Sequence, residues 1–425
     1  DVPLQLVHGR AAVVGDVLAR LLAWTGWNVT REYYVNDATK RAELLELGRR
    51  VLAHYGQLLD GHTIPAAPDD LSVLAVEIAR RIASSEGNRY LHTEADATPL
   101  FARLACREMV EQQQETLHRL GVTFDVWFFE QSLHQSGAVE ETLAALRASR
   151  HTYEFEGALW LRSTDFGDEQ DRVLVRSNGS LTYLAADAAY HRHKFARGFH
   201  RVVDIWGPEH RAYVARTFAA LAALGIDPGR LQVHICEGVR PFRAGETFEA
   251  EGAPHAPTLW QLLEEVGPDA ARSAFLAREM ESPLSLDIAV AKDESVRNLA
   301  CGLREVHQRC VKVVEAGAAD RGADALPSSC EGETLTHLVE KNLVRHLADF
   351  PEEVLLAAQA AEPYLLARYA GELRDAVEVF LNTSPGVEEG HPVAGRTAPL
   401  ALVRAAQVVL ANILALLGIP AAGTA

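Results

Sequence analysis

The sequence predicts an α/β protein: a parallel sheet carrying a helical insertion, followed by an all-helical bundle in the last third of the chain. Three observations carry this prediction. Apolar residues recur at helical spacing over 11–25 and 38–56, and the Val- and Tyr-rich run 28–35 between them alternates like a strand, the rhythm of a parallel sheet. Val202-Val203-Asp204-Ile205-Trp206 reads as a core strand that ends in Gly207-Pro208-Glu209-His210, at the strand end where open α/β sheets hold ligands. From residue 293 to the end the spacing is helical, broken by Gly- and Pro-rich punctuation.

Taken in order, Pro3-Leu4-Gln5-Leu6-Val7-His8-Gly9-Arg10 is a short loop bracketed by Pro and Gly, and Val14, Val17, Leu18, Leu21 and Leu22 then repeat at helical spacing. Such a loop delivers His8, Gly9 and Arg10 to a helix N-terminus, where free N–H groups and the positive dipole end suit an anion such as phosphate. A surface His at an ordinary helix start fits the same residues. The sheet's first strand should precede Pro3, where the chain as given has no room, so either that strand lies upstream or the sheet is built differently. Residues 61–121 read as mostly helical with a polar break at 84–88, and 121–128 as a strand; about 60–160 forms an insertion packed on the core. Tyr153 to Val175 reads as paired hairpin strands around an acidic loop, followed by the Asn178-Gly179 turn.

On the next helical stretch Tyr183 and Asp187 stand four apart and Tyr190 three further on, so all three share a face. A carboxylate beside tyrosine hydroxyls can clamp a guanidinium through paired hydrogen bonds. A solvated structural pair has the same spacing. Leu231 to Ile235 is another strand. In the C-terminal part 316–329 reads as a loop, and 335–350, 352–361, 364–381 and 398–417 as helices.

Composition bounds the function. The length of 425 residues suits two or three domains, and a net charge of −17 argues against non-specific nucleic-acid binding and a DNA partner. No apolar run reads as long enough to span a bilayer, and no signal peptide is recognisable, so no membrane is expected. Five scattered cysteines without a Cys-x-x-Cys pair indicate neither a disulfide framework nor a metal site, and a cytoplasmic setting is expected.

The run Pro3 to Leu22 with Asn28 to Ala38, the strand Gly121 to Phe128, the segment Gly157 to Val175, and the runs Thr258 to Arg272 and Glu281 to Asp287 together resemble arginyl-tRNA synthetases over nearly the whole chain. The resemblance implies a Rossmann-type class I core over 1–292 and an anticodon-binding-like bundle over 293–425. Tyr183 and Asp187 match positions that line the family's arginine pocket, and Asn36 and Tyr190 are expected on the same substrate side. The family's His-x-Gly-His signature falls on Gln5-Leu6-Val7-His8. Only its second His remains, which makes His8 the candidate acid/base and places Gln5 and Gly9 on the nucleotide side. Glu209 and His210 match a Gly-Ala-Asp-His pattern on the nucleoside side. The mobile Lys-Met-Ser-Lys loop falls on Glu249-Ala250-Glu251-Gly252, where carboxylates would repel a triphosphate, and no lysine occurs between Lys194 and Lys292. Arg240 and Arg243 are the cations just upstream. Residues 331–425 hold six Lys/Arg against twelve Asp/Glu, so tRNA affinity does not follow from charge. The extra N-terminal domain common in the family is absent from the sequence as given.

Three functions are compatible with this pattern. A repurposed paralogue would keep arginine recognition, and use arginine or arginyl-tRNA without ATP-dependent activation. A working arginine–tRNA ligase would use ATP with Mg²⁺. A non-catalytic protein would bind arginine or tRNA. The altered ATP motifs point to the first.

Overall fold

The structure, a computed structural model, describes residues 3–37, 42–60, 70–90, 97–243, 246–247, 256–293, 298–321, 335, 337–384 and 398–421. In chain order its elements are α1 (Leu6–Trp24), β1 (Glu32–Val35), α2 (Ala42–Leu59), α3 (Asp70–Glu86), α4 (Thr98–Arg119), β2 (Val126–Phe129), α5 (Gln131–Gln135), α6 (Ala138–Ala148), β3 (Thr152–Phe155), β4 (Ala158–Leu161), β5 (Arg172–Val175), α7 (Tyr183–Ala196) and β6 (Val202–Trp206). They continue with α8 (Val214–Ala223), β7 (Leu231–Ile235), β8 (Val239–Arg243), β9 (Glu246–Thr247), α9 (Leu259–Val266), α10 (Pro268–Phe275), β10 (Leu284–Asp287), α11 (Ile288–Lys292), α12 (Leu299–Arg321), α13 (Leu338–Gln359), α14 (Pro363–Thr383) and α15 (Ala398–Leu417). The chain forms two compact units: residues 1–4, 31–116 and 124–235 make one, and residues 5–30, 117–123 and 236–425 the other.

In the first unit β1 pairs in parallel with β2 and β6 in parallel with β7, while β3-β4-β5 is an antiparallel meander. The parallel strands are short, four or five residues each. After β5 the chain turns at Asn178-Gly179, where Gly179 takes φ +79° and Asn178 Oδ1 accepts from Ser180 N–H at 2.9 Å. A core of Phe128, Leu143, Leu159, Leu161, Leu184 and Ala188 lies between these strands and α6–α8. Helices α2–α4 bury a core of their own around Leu47, Tyr55, Ile78, Ile82 and Phe101. The polar stretch 84–88 does not break α3 before Glu86, because Ile78, Ala79 and Ile82 hold its last turns in that core.

In the second unit β8 pairs in parallel with β10 and antiparallel with β9, and α12–α15 pack together as the bundle. Helix α1 starts five residues before the expected start. Gln5 is its N-cap, with extended backbone at φ −87° and ψ 172°, and His8 Nδ1 accepts the Gln5 N–H at 2.8 Å. Gly9 and Arg10 therefore sit inside the helix rather than in a loop before it. A Cβ on Gly9 would lie 2.5 Å from Leu259 Cδ1, so close packing requires the glycine. Arg10 is fully buried and donates to the carbonyls of Glu237, Ser282 and Glu279 at 2.7–2.8 Å.

Arg272, on α10, is 1% exposed and joins three elements. Its Nη2 donates to Asp16 Oδ2 on α1 at 2.6 Å and to the Leu417 carbonyl ending α15 at 2.8 Å, and its Nη1 donates to the Gly121 carbonyl at 3.2 Å. Gly418, at φ +70°, makes room: a Cβ there would lie 2.1 Å from Arg272 Nη2.

The two helices expected over 335–350 and 352–361 are one, α13, with Pro351 inside it. The buried Leu343, Phe350, Val354 and Ala357 continue a single stripe through the proline, and this packing outweighs the missing N–H. Helix α12 likewise runs into the expected loop as far as Arg321. Helix α15, contrary to expectation, is long and apolar enough to cross a membrane. Half of its most apolar window is buried, with Val403, Ala406, Leu410, Ile413 and Leu417 inside the second unit, as a core helix requires.

Candidate functional site

Helix α7 is built from small residues. Ala185, Ala186, Ala188 and Ala189 are all buried, so the helix is surrounded by protein and favoured by its alanines. Thr182 fixes its start by donating from Oγ1 to the Val173 carbonyl of β5 at 2.8 Å. A helix packed this closely has no need of charge, yet one stripe of it carries Tyr183, Asp187, Tyr190, His191 and Lys194.

Each of these has a distinct environment. Tyr183 is half exposed. Tyr190 is buried between Tyr34 of β1, 4.5 Å away ring to ring, and Phe128 of β2, at 4.8 Å. Its hydroxyl donates to Glu32 Oε1 at 2.6 Å, and Arg197 holds the same carboxylate from Nη1 at 2.6 Å. Burial and the Glu32 charge push the Tyr190 phenol far above its ordinary pKa, so it stays protonated. Lys194 lies 4.1 Å over the Tyr190 ring, and its Nζ donates to Asp204 Oδ1 on β6 at 2.6 Å. The other Asp204 oxygen meets His191 Nε2 at 2.7 Å, and His191 Nδ1 meets the Asp187 carbonyl at 2.8 Å. Asp204 is fixed well below the ordinary carboxylate range, because Lys194 and His191 outweigh the cost of its burial.

The Asp187 carboxylate differs from the rest. No described residue donates a hydrogen bond to it, although it is only partly exposed. Burial raises its pKa, Glu130 and Asp204 raise it further, and His191 and Lys194 pull it down without cancelling the rise. A desolvated carboxylate without a donor is a receptor for a cation with several N–H groups. The protonated form cannot hold such a cation, and the raised pKa means that the charge is lost at a higher pH than for an ordinary Asp. Affinity for a guanidinium compound is therefore expected to fall as pH is lowered, and to begin falling at a higher pH than an ordinary carboxylate would give. Calorimetric titration at a series of pH values checks this; a flat profile would contradict it.

Asn36 follows β1 and is exposed. Glu209 and His210 lie in the short 3₁₀ turn Pro208–Tyr213 after β6, both more than half exposed, with His210 Nδ1 3.0 Å from Glu209 Oε1. Glu209 folds back over Gly207, whose hypothetical Cβ would lie 2.3 Å from its carboxylate. These residues belong to the first unit. Gln5, His8 and Gly9 belong to the second, where His8 is exposed on the first turn of α1 and accepts the Gln5 N–H at Nδ1, so its ring proton is on Nε2. Arg243 is engaged by Glu265 Oε2 at 2.6 Å. Glu249 and Glu251 lie outside the described residues. Among the described residues, no three His, Cys, Asp or Glu side chains are arranged to hold a metal ion.

Sequence reasoning put Tyr183, Asp187 and Tyr190 on one helix face, where α7 has them, but passed over His191, Lys194 and Asp204. The available signal was the i+4 and i+7 continuation of a polar stripe through an alanine-rich helix, together with an Asp inside an otherwise apolar strand.

Comparison with known proteins shows the family. Residues 2–266 match the profile of the class I tRNA synthetase catalytic domain of the arginine type, and residues 303–423 match the DALR anticodon binding domain. The chain belongs to the arginyl-tRNA synthetase family. Within that family, the arginine–tRNA ligase of Desulfitobacterium hafniense (strain DSM 10664 / DCB-2) is 39% identical over 429 residues, covering 98% of this chain and 74% of that protein. A Campylobacter jejuni structure, provisionally assigned as an arginyl-tRNA synthetase, superposes with a TM-score of 0.85 at 27% identity, covering 99% of this chain and 90% of its own. The Thermus thermophilus arginyl-tRNA synthetase shares the fold, with a TM-score of 0.73 at 22% identity over 99% of this chain and 80% of that one. The fold is thus a class I synthetase catalytic domain with a C-terminal helical anticodon-binding domain.

Proposed function

We propose that this family member is an arginine–tRNA ligase, which joins arginine to tRNA through an adenylate made from ATP. The supporting observation is the Asp187 carboxylate, half-desolvated and without a hydrogen-bond donor on α7, in a chain whose relatives over 98% of its length are arginine–tRNA ligases. Asp187 would accept hydrogen bonds from the guanidinium, Tyr183 and Tyr190 would flank it, and Asn36 would stand on the same substrate side. On the nucleotide side, His8 would offer its Nε2–H from the start of α1 to a developing phosphate charge, with Gln5 and Gly9 on the same turn. In the other unit, Glu209 and His210 would serve the nucleoside side. Domain 1–292 would carry this chemistry and the helices of 293–425 would take the tRNA.

A second reading is favoured by two features of the sequence. Gln5 and Val7 stand where the family signature has His and Gly, and no lysine occurs between Lys194 and Lys292. Each lost cationic contact to a triphosphate typically costs about 10²–10³ in rate. On this reading the chain is a divergent paralogue that keeps arginine or arginyl-tRNA as its ligand without activating the amino acid. Arginine-dependent exchange of pyrophosphate into ATP, run with and without tRNA, separates the two. A working ligase is expected to give exchange that disappears without arginine. Arginine binding with no exchange under either condition would discard the ligase and leave the paralogue.

A further inference from the structure

Three charged side chains beside the arginine-binding carboxylate have no part in the reading above: His191 and Lys194 on α7, and Asp204 on β6. Asp204 is nine-tenths buried, and its two oxygens are divided between them, Oδ1 accepting from Lys194 at 2.6 Å and Oδ2 facing His191 Nε2 at 2.7 Å. The opposite nitrogen of His191 faces a carbonyl oxygen, that of Asp187. Both ring nitrogens therefore meet acceptors, and the ring donates from both. Lys194 and His191 are close enough to Asp187 to act on its charge, yet neither bonds to its carboxylate. Lysine is a flexible point charge that moves readily to the nearest anion. Without Asp204, two cations would stand beside an unpaired carboxylate in a poorly solvated site, where attraction between charges is strongest.

We propose that Asp204 is a positioning residue for substrate recognition: it holds Lys194 and His191 away from Asp187, so that the guanidinium pocket is not filled from within. The proposal rests on Asp187 being the arginine-binding group. Asp204 touches no substrate. It acts by occupying the internal competitors, which makes specificity for a cationic side chain depend on a second carboxylate, on the neighbouring strand.

The test measures calorimetric affinity of the full chain for arginine and, by competition, for citrulline, whose urea has the shape of guanidinium without its charge. Asp204→Asn is expected to weaken arginine binding by about tenfold or more and leave citrulline unchanged, because Lys194 then pairs with Asp187. Adding Lys194→Met to that variant is expected to restore arginine binding to within about threefold of wild type. A merely structural Asp204 would not be rescued by losing its partner. Equal weakening of arginine and citrulline, no weakening at all, or no rescue would each overturn the proposal. Should Asp204→Asn alone not fold, Lys194→Met and the double variant carry the test: both should bind arginine nearly as wild type does, and a tenfold loss in either would make Lys194 a contributor to the pocket and overturn the proposal. Failure of wild type to bind arginine would instead refute the role of Asp187 itself, and this proposal with it.

Discussion

Asp187→Ala is expected to weaken arginine binding by at least about a hundredfold, since charge-assisted hydrogen bonds contribute about 1.5–3 kcal/mol each and a carboxylate can accept two from one guanidinium. The loss should be larger than for a surface ion pair. Asp187 has no hydrogen bond from a described residue, and His191 and Lys194 offset its desolvation only in part, so a ligand's donors would complete it; its removal leaves His191 and Lys194 to repel a cation. The substitution puts a good helix former into an alanine-rich helix, so α7 should remain folded. Titration calorimetry reads the loss directly. Asp187→Asn, which keeps the shape and removes the charge, should lose nearly as much. Unchanged affinity in either variant would mean that the guanidinium is held elsewhere.

Arg272→Met is expected to destabilise the protein by about 3–5 kcal/mol, the usual cost of removing one partner of a buried, hydrogen-bonded ion pair. Asp16, itself 2% exposed, would lose its 2.6 Å bond to the guanidinium, keeping Arg20 Nε at 3.0 Å. The Leu417 carbonyl at the end of α15 would lose two donors. Methionine fills part of the volume without satisfying any of these groups, so the cost is in unmet hydrogen bonds more than in packing. Denaturant unfolding followed by circular dichroism measures it. A change below about 1 kcal/mol would show that solvent or neighbouring groups replace the guanidinium. The pairing of Arg272 with Asp16 spans 256 residues of sequence, and no spacing rule connects them.

Legibility followed the range of the interactions. The meander β3-β4-β5 and the Asn178-Gly179 turn that follows it were readable because hairpins and turns are decided by neighbouring residues. The bundle helices were readable as periods, but their ends were not. Local rules stop a helix at Pro351, whereas the buried stripe from Leu343 to Ala357 continues it. The first turn of α1 was misplaced for a similar reason. Gly9 reads as a loop residue, yet it lies within a helix packed so closely on Leu259 that no side chain fits.

The sequence by itself determined the α/β-then-helical architecture, the family, and the Tyr183–Asp187–Tyr190 face, because periodicity, turn chemistry and motif spacing are local. Only the tertiary structure decided which of the charged groups are already partnered. Arg10 and Arg272 are committed to backbone carbonyls and Asp16, Asp204 is divided between Lys194 and His191, and the Asp187 carboxylate is left without a donor among the described residues. Those pairings join residues far apart in the chain, or a helix to a strand, and burial sets their strength; neither quantity is written in the order of residues.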